Sequence, residues 1–236
     1  GDSVSRAVEV VVLDVNDRPA FDMVETVSVW EDQLDIEIGS VCFNIKRGSP
    51  NGNEDHQDVT FFLELINGDA SLFSSEEGVN AVELSSTGNL TFTLSPSANG
   101  NATFSVTMVD SGGTARGGED TAVVKNLTII VASVNDRPAF VVGDVTVYQA
   151  QGNVTIPDFA SGIARGDNGN EADQRLSFSV TFVSGNADLF FPDENDVGIS
   201  PDGTLSFTLD PLHRGSATFN VTLEDEGGVM RGGENA

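Results

Sequence analysis

The sequence predicts an all-β protein made of tandem Greek-key β-sandwich modules in a linear array. One observation is internal repetition, because the heptapeptide VNDRPAF occurs at Val15–Phe21 and again at Val134–Phe140, 119 residues later (134 − 15). A second is the alternation of apolar residues with Thr and Ser over short segments, which is typical of half-buried antiparallel strands. The third is that no stretch has the period of an amphipathic helix.

The alternating rows recur at matching places of the two repeats. The first repeat has the rows Leu90, Phe92, Leu94 and Phe104, Val106, Met108, and the second has Leu205, Phe207, Leu209 and Phe219, Val221, Leu223. Turn-forming stretches such as Asn67-Gly68-Asp69 separate the rows. About seven short strands per module are typical of a sandwich of the immunoglobulin-like kind.

The rows that precede the two heptapeptides set the predicted boundaries. We expect residues 1–13 to be the last strand of a preceding repeat, residues 14–133 a complete repeat, and residues 134–236 a second repeat that lacks its last strand. Two explanations stay open. The chain is a segment of a longer array, or residues 1–13 of one copy fill the gap in another copy.

Composition narrows the classes of partner. The formal net charge of −26 disfavours nucleic acid and anionic membranes, since both would repel the chain, and it favours hard divalent cations. No apolar run approaches the roughly 18–20 residues that would span a membrane, so we expect no membrane insertion in this segment. Cys42 is the only cysteine and is expected to be a small buried hydrophobic residue.

Several motifs resemble those of cadherin repeats. Asp14–Phe21 resembles the cadherin linker D-x-N-D-N-x-P-x-F, and Val29–Asp32 resembles the first-strand motif that ends in a calcium-binding glutamate. Val106–Gly112 resembles the V-x-A-x-D-x-G segment, in which Asp110 would be the calcium-binding aspartate. The nearest resemblance is to cadherin-like tandem repeats of large microbial surface proteins. It implies a cadherin-like sandwich fold, an extracellular or cell-surface location, and Ca²⁺ as the cofactor.

The chain also departs from the cadherin pattern. Ser95-Pro96-Ser97 stands where L-D-R-E is expected, Ser133 replaces the first aspartate of the second linker, and Gln149 replaces the counterpart of Glu31. We therefore expect about one or two ions per junction rather than a full set of three.

Acidic and amide residues near the linkers are the candidate ligands, because Ca²⁺ takes about six to eight oxygen ligands. For the first linker the candidates are Asp14, Asn16, Asp17, Glu54, Asp55, Asp58 and Asp110. For the second linker they are Glu31, Asn135, Asp136, Asp167, Glu171, Asp173 and Asp225. The competing interpretation is that the linker residues only shape the turn before proline, and that the loop acids are only solvated.

The function that we predict is a non-catalytic, extracellular structural or adhesive array whose linkers Ca²⁺ makes rigid. Its expected partners are neighbouring repeats of the same long chain, with homotypic or filament contacts as a further kind. The alternative is a module that binds glycan or another surface ligand through an exposed aromatic platform. An enzyme ranks third, because His56 and His213 are isolated from any catalytic pattern.

Two short motifs have weaker meaning. Five N-x-S/T sequons, at Asn89, Asn101, Asn126, Asn153 and Asn220, would make a glycoprotein in a secretory setting. Arg165-Gly166-Asp167 is an RGD tripeptide, but its counterpart in the first repeat is Arg47-Gly48-Ser49. We therefore interpret arginine-glycine as a feature of the repeat.

Overall fold

The structure is a computed structural model that describes residues 1–33, 35–74, 81–166 and 171–228. The chain divides into two compact units, Gly1–Ala132 and Ser133–Ala236. Both are built from strands and short 3₁₀ turns, so the all-β prediction is confirmed, whereas the linear arrangement stays a prediction.

Ten strands make up the described part of unit 1. They are β1 Ala20–Met23, β2 Thr26–Trp30, β3 Asp35–Ile38, β4 Cys42–Lys46, β5 Val59–Gly68, β6 Phe73–Ser74, β7 Val82–Leu84, β8 Leu90–Leu94, β9 Gly100–Asp110 and β10 Lys125–Ala132. Single 3₁₀ turns lie at Ala70–Leu72 and Ala115–Gly117. The alternating rows of the sequence become the buried faces of β8 and β9, because successive side chains of a strand point to opposite faces.

The strands of unit 1 form two facing sheets and a short ribbon. One sheet has the order β2-β10-β9-β5, in which β10 runs parallel to β2 and antiparallel to β9. The other has the order β3-β8-β6, with β7 also paired to β8, and β1 pairs with β4. An edge-to-face contact of Phe73 in β6 with Phe104 in β9 joins the two sheets at a ring-centroid distance of 5.6 Å. Phe73 also contacts Phe92 of its own sheet at 5.7 Å. The core therefore lies between the sheets, as in a sandwich.

Unit 2 has seven strands in its described residues. They are β11 Ala139–Val141, β12 Asn153–Ile156, β13 Ser161–Ala164, β14 Ser177–Gly185, β15 Gly198–Ile199, β16 Leu205–Thr208 and β17 Ala217–Glu224. Single 3₁₀ turns lie at Gln149–Gln151, Ala187–Leu189 and Glu194–Asp196. The pairings are β14 with β17, β12-β16-β15, and β11 with β13.

Most strands of unit 2 repeat strands of unit 1 at the spacing of the sequence repeat. β11, β12, β13, β14, β16 and β17 correspond to β1, β3, β4, β5, β8 and β9. Residues 144–148, the counterpart of β2, form no strand, and no described strand of unit 2 corresponds to β10. The cluster of buried apolar residues is accordingly small and consists of Ala160, Val197, Ile199 and Leu205.

Candidate metal centre

The asparagine of the first linker is held by three side-chain hydrogen bonds. Asn16 Nδ2 donates to Asp110 Oδ1 and to the carbonyl oxygen of Glu119, both at 2.9 Å. Its Oδ1 accepts from Gln57 Nε2 at 2.7 Å. Asp110 ends β9 and Gln57 lies just before β5, so Asn16 joins the linker to two strands of the same sheet.

The next linker residue is held through its backbone. The Asp17 N–H donates to Glu54 Oε1 at 2.8 Å, and the Ser49 N–H donates to Glu54 Oε2 at 2.5 Å. Glu54 is buried, whereas Asp17 is exposed. The buried carboxylate thus stabilises two backbone N–H groups, which would otherwise need another acceptor.

Unit 2 repeats this arrangement with nearly the same distances. Asn135 Nδ2 donates to Asp225 Oδ1 at 3.0 Å, and Asn135 Oδ1 accepts from Gln174 Nε2 at 2.7 Å. The Asp136 N–H donates to Glu171 Oε1 at 2.8 Å. We call each set of linker asparagine, glutamate, glutamine and aspartate a linker network: Asn16, Glu54, Gln57 and Asp110 in unit 1, and Asn135, Glu171, Gln174 and Asp225 in unit 2.

Both linker networks contain buried oxygens that accept no hydrogen bond from the described residues. They are Asp110 Oδ2 and Gln57 Oε1 in unit 1, and Asp225 Oδ2, Gln174 Oε1 and Glu171 Oε2 in unit 2. The exposed fractions of Asp110, Gln57 and Asp225 are 5%, 8% and 7%. An unsatisfied buried polar group costs about 1–3 kcal/mol, and more when it is charged. Because these atoms are carboxylate and amide oxygens, a bound hard cation would remove that cost.

Two glycines in each unit let the backbone approach the network closely. A Cβ on Gly112 would overlap Asn16 Oδ1 and the amide of Gln57, and a Cβ on Gly227 would overlap Asn135 Oδ1. Gly48 has a φ of +143°, and a Cβ there would overlap Glu54 Oε2. Glycine is therefore required for space at Gly112 and Gly227, and for both space and conformation at Gly48.

The arginine-glycine pairs also belong to the networks. Arg47 Nε donates to the carbonyl oxygen of Gln57 at 2.5 Å, and Arg165 Nε donates to that of Gln174 at 2.7 Å. A Cβ on Gly166 would overlap Glu171 Oε2. Within the RGD tripeptide, Arg165 and Gly166 thus position the glutamine segment, and Asp167 lies outside the described residues.

The structure brings together some of the predicted ligands and not others. The linker networks contain Asn16, Glu54, Asp110, Asn135, Glu171 and Asp225, and they reach Asp17 and Asp136 through backbone N–H groups. Asp14 accepts a hydrogen bond from Asn53 Nδ2, and Asp14, Asp55, Asp58 and Asp173 are exposed. In the described ranges, no group of three or more His, Cys, Asp and Glu residues has the geometry of a metal site. The full ligand set therefore stays a prediction.

Glu31 occupies a different place in unit 1. It follows β2, is buried, and accepts a hydrogen bond from Asn99 Nδ2 through Oε2 at 3.0 Å. Its N–H donates to the carbonyl oxygen of Ala132 at 3.0 Å. Glu31 thus contacts the end of β10, just before the second linker, and lies outside the linker network of unit 1.

The sequence interpretation missed Gln57 and Gln174. Their signal was the pattern Glu-x-x-Gln, which recurs as Glu54-x-x-Gln57 and Glu171-x-x-Gln174 inside the repeated loop that begins with Asn-Gly-Asn-Glu at Asn51 and at Asn168. In a single loop, a neutral glutamine among acids cannot be distinguished from a residue that only contacts solvent. The recurrence of the pattern in both repeats is the signal that it has a structural role.

Two other predictions concern residues away from the networks. Cys42 is buried, which confirms the prediction, and burial raises the pKa of its thiol to about 11 although the Lys125 ammonium partly opposes this. The aromatic side chains found exposed in the described ranges are Phe43, Phe62, Tyr148 and Phe191. They lie on separate segments, and the aromatic platform of the alternative function stays a prediction.

Comparison with known proteins gives similarity of structure alone. No protein-family model and no curated protein matches the chain. It is similar to mouse protocadherin-24 EC1-3, with 16% identity and a TM-score of 0.44, over 92% of this chain and 67% of that one. It is also similar to human protocadherin-24 EC1-2, with 15% identity and a TM-score of 0.46, over 88% of this chain and 86% of that one. A third similar structure is that of Drosophila OTK extracellular domains 3-5, with 18% identity and a TM-score of 0.31, over 87% of this chain and 60% of that one.

The described strands and sheets define an all-β, sandwich-like architecture. Identities of 15–18% and TM-scores of 0.31–0.46 transfer no residue role, ligand or partner to this chain. Among the described residues, no helix has the length and apolar character needed to cross a bilayer.

Proposed function

We propose that the chain is a non-catalytic, extracellular structural or adhesive repeat protein whose modules and linkers are stabilised by Ca²⁺. The observation that supports this most strongly is the duplicated linker network, in which buried carboxylate and amide oxygens lack donors. A network present in both units is expected of a repeated structural part, whereas an active site would have no reason to recur in every module.

The carboxylate and amide oxygens of each linker network are of the chemical type that binds Ca²⁺. In unit 1, Asp110 Oδ2 and Gln57 Oε1 would be ligands, and in unit 2 Asp225 Oδ2, Gln174 Oε1 and Glu171 Oε2. Waters and the exposed acids Asp14 and Asp17 are the candidates for the remaining positions, since Ca²⁺ accepts mixed oxygen shells. A buried water could satisfy the same acceptors, but it would not offset the charge of −26 as a divalent cation does.

The proposed mechanism acts through the linker asparagine. Asp110 uses one carboxylate oxygen to hold Asn16 and has the other available to a cation, and Asp225 does the same with Asn135. A cation that fixes the aspartate would therefore also fix the linker that is bonded to it. In this way Ca²⁺ would raise the stability of each module and reduce the freedom of the linker with one set of contacts.

Titration calorimetry with Ca²⁺ tests the proposal on the wild type and on the double variant Asp110→Asn/Asp225→Asn. Asparagine keeps the Oδ1 acceptor for Asn16 and for the Gly112 N–H, so the variant should fold. It removes the buried charge, and we expect at least a tenfold loss of Ca²⁺ affinity. Small-angle scattering of the same samples should show a stiffer wild type in Ca²⁺.

The matched control is Asp55→Asn/Asp173→Asn, which removes the same net charge from exposed loop positions outside the networks. We expect this control to bind Ca²⁺ nearly as the wild type does. An equal loss of Ca²⁺ affinity in both double variants would mean that the overall negative charge, and not the linker networks, determines binding. Unchanged binding in Asp110→Asn/Asp225→Asn would contradict the assignment.

A further inference from the structure

Strand β5 lies at the end of the sheet β2-β10-β9-β5, and no described strand pairs with its outer edge. It has ten residues, whereas β2, β3 and β6, the other strands at the ends of the two facing sheets, have five, four and two. The edge of a sheet presents backbone N–H and C=O groups that can pair with another chain. Natural edge strands limit such pairing by being short or by containing lysine or proline, and Val59–Gly68 contains neither residue.

β5 is apolar on both of its faces. The inward-facing Val59 and Phe61 are buried, whereas Phe62 and Ile66 on the outward face are 57% and 51% exposed. Such nearly continuous apolar runs are typical of strands that are covered on both faces. Glu64, between Phe62 and Ile66 on the outward face, is the only charged residue of the strand.

β14 holds the same position in unit 2 but is mostly polar on its outward face. It pairs with β17 as β5 pairs with β9. At a spacing of 117 residues (179 − 62), Ser179 corresponds to Phe62 and Thr181 to Glu64. The exposed phenylalanine and glutamate of β5 are therefore not required by the fold of the repeat.

A groove opens beside β5 in unit 1, between the two sheets. It has a volume of about 510 Å³, and its walls include Leu65 of β5, Val82 and Leu84 of β7, and Phe104 of β9. Among the described residues that line it, all except Glu83 are apolar. Because successive side chains of a strand alternate in direction, a strand added to β5 would place every second side chain against this groove.

We infer that β5 is the docking site for an extended segment of a partner protein, with apolar residues at alternate positions and a lysine or arginine beside Glu64. Main-chain hydrogen bonds to the edge of β5 would supply affinity, and the groove and Glu64 would supply specificity. A cationic partner is favoured because opposite charges on neighbouring strands attract and because the chain carries a net charge of −26.

Charge also disfavours a second copy of this chain as the occupant. Glu64 lies at the middle of β5. Antiparallel pairing of two β5 strands about their centres would therefore bring the two Glu64 side chains to opposite or diagonal positions on one face, where like charges repel.

This inference goes beyond the proposed function and is tested separately from it. Docking uses the backbone of β5, its apolar side chains and one exposed glutamate, none of which belongs to a linker network. A chain that fails to bind Ca²⁺ could still bind the partner segment, and the reverse also holds.

The probe is a fluorescein-labelled peptide of sequence Thr-Val-Thr-Val-Lys-Val-Thr-Val, and the same peptide with Glu in place of Lys is its charge control. Fluorescence anisotropy measures the affinity of both for the wild-type chain, for Glu64→Lys, and for the matched control Glu37→Lys. Glu37 is exposed on β3 in the other sheet, so its variant makes the same change of net charge away from β5.

We expect the wild type to bind the Lys peptide at least about tenfold more tightly than the Glu peptide, and Glu64→Lys to reverse this preference. Glu37→Lys should keep the affinities of the wild type to within about threefold, because salt screens exposed charges that are far from the peptide. Phe62→Ser, which gives β5 the residue of β14, should weaken binding of the Lys peptide at least about threefold.

Hydrogen exchange followed by NMR locates the bound probe. We expect the Lys peptide to slow exchange of β5 amides and to leave those of β14 unchanged. The inference is overturned if the wild type binds neither peptide or does not discriminate between them, or if the amides of β14 rather than β5 are protected. It is also overturned if every β5 amide is already protected without peptide, whether in a single chain or in a dimer detected by light scattering, since the edge would then have another occupant.

Discussion

At the scale of residues, each linker asparagine connects three parts of its unit. Asn16 can do so because a primary amide is both a double donor and an acceptor. An aspartate at this position could accept from Gln57 but could not donate to Asp110 and to the Glu119 carbonyl. This explains why the turn before Pro19 contains asparagine. Asn16 therefore fits both interpretations of the linker residues, since it shapes the turn and also belongs to the candidate ligand cluster.

The close approach at Gly48 predicts a large cost for a single methyl group. Gly48→Ala would force a side chain at a φ of +143° and an overlap with Glu54 Oε2, so we expect a loss of about 1–3 kcal/mol in the free energy of unfolding. Trp30 is the only tryptophan and lies in unit 1, so its fluorescence during denaturation by urea reports on this unit.

Gly39→Ala is the control for this prediction. A Cβ there would meet only Asn89 Oδ1 at 3.9 Å, an ordinary contact distance. Its effect should stay within about 0.5 kcal/mol. Equal stability of the two alanine variants would show that the backbone of the linker network tolerates side chains at Gly48.

The sequence allowed part of the candidate site to be predicted. Asn16, Glu54 and Asp110 were expected together, and the structure joins Asn16 to Asp110 and the neighbouring Asp17 to Glu54. Asp55 and Asp58 were expected beside them but are exposed. Hydration stabilises a carboxylate in a loop about as well as a hydrogen-bond partner does, so the sequence alone does not distinguish the two. Composition shows how many oxygens are available, and only the fold shows which of them are buried.

At the scale of elements, alternation predicts the faces of strands but not their partners. The rows in β8 and β9 were correctly expected to be half-buried. The parallel pairing of β10 with β2 could not be predicted, since the same alternation serves parallel and antiparallel neighbours. Ala7–Leu13 alternates as β10 does, yet it pairs with no strand among the described residues and forms none itself.

Two adjacent residues of β10 should differ strongly in their contribution to stability. Ile129 is fully buried in the core of unit 1, whereas Ile130 points outward and is exposed. We expect Ile129→Ala to lower the free energy of unfolding by about 2–5 kcal/mol and Ile130→Ala to lower it by less than about 1 kcal/mol. Urea denaturation followed by Trp30 fluorescence measures both, and costs of similar size would mean that β10 does not close the core.

At the scale of the whole molecule, two units repeat the same linker network within a strongly acidic chain. The repetition was visible in the sequence as two copies of VNDRPAF and of Glu-x-x-Gln. A net charge of −26 opposes the compact state through self-repulsion, and the buried carboxylates of Asp110 and Asp225 add a local cost. A cation bound at each network would relieve both costs, which makes calcium-dependent stability the central claim.

Thermal unfolding of the wild type and of Asp110→Asn/Asp225→Asn, each in a chelator and in millimolar Ca²⁺, tests this claim most directly. Ca²⁺ at a hundred times its dissociation constant would add about 2.7 kcal/mol per site to the free energy of unfolding, so we expect a higher melting temperature for the wild type alone. In the chelator the variant should be at least as stable, because it lacks the buried charges. A wild type whose melting temperature is the same in chelator and in Ca²⁺ would contradict the account.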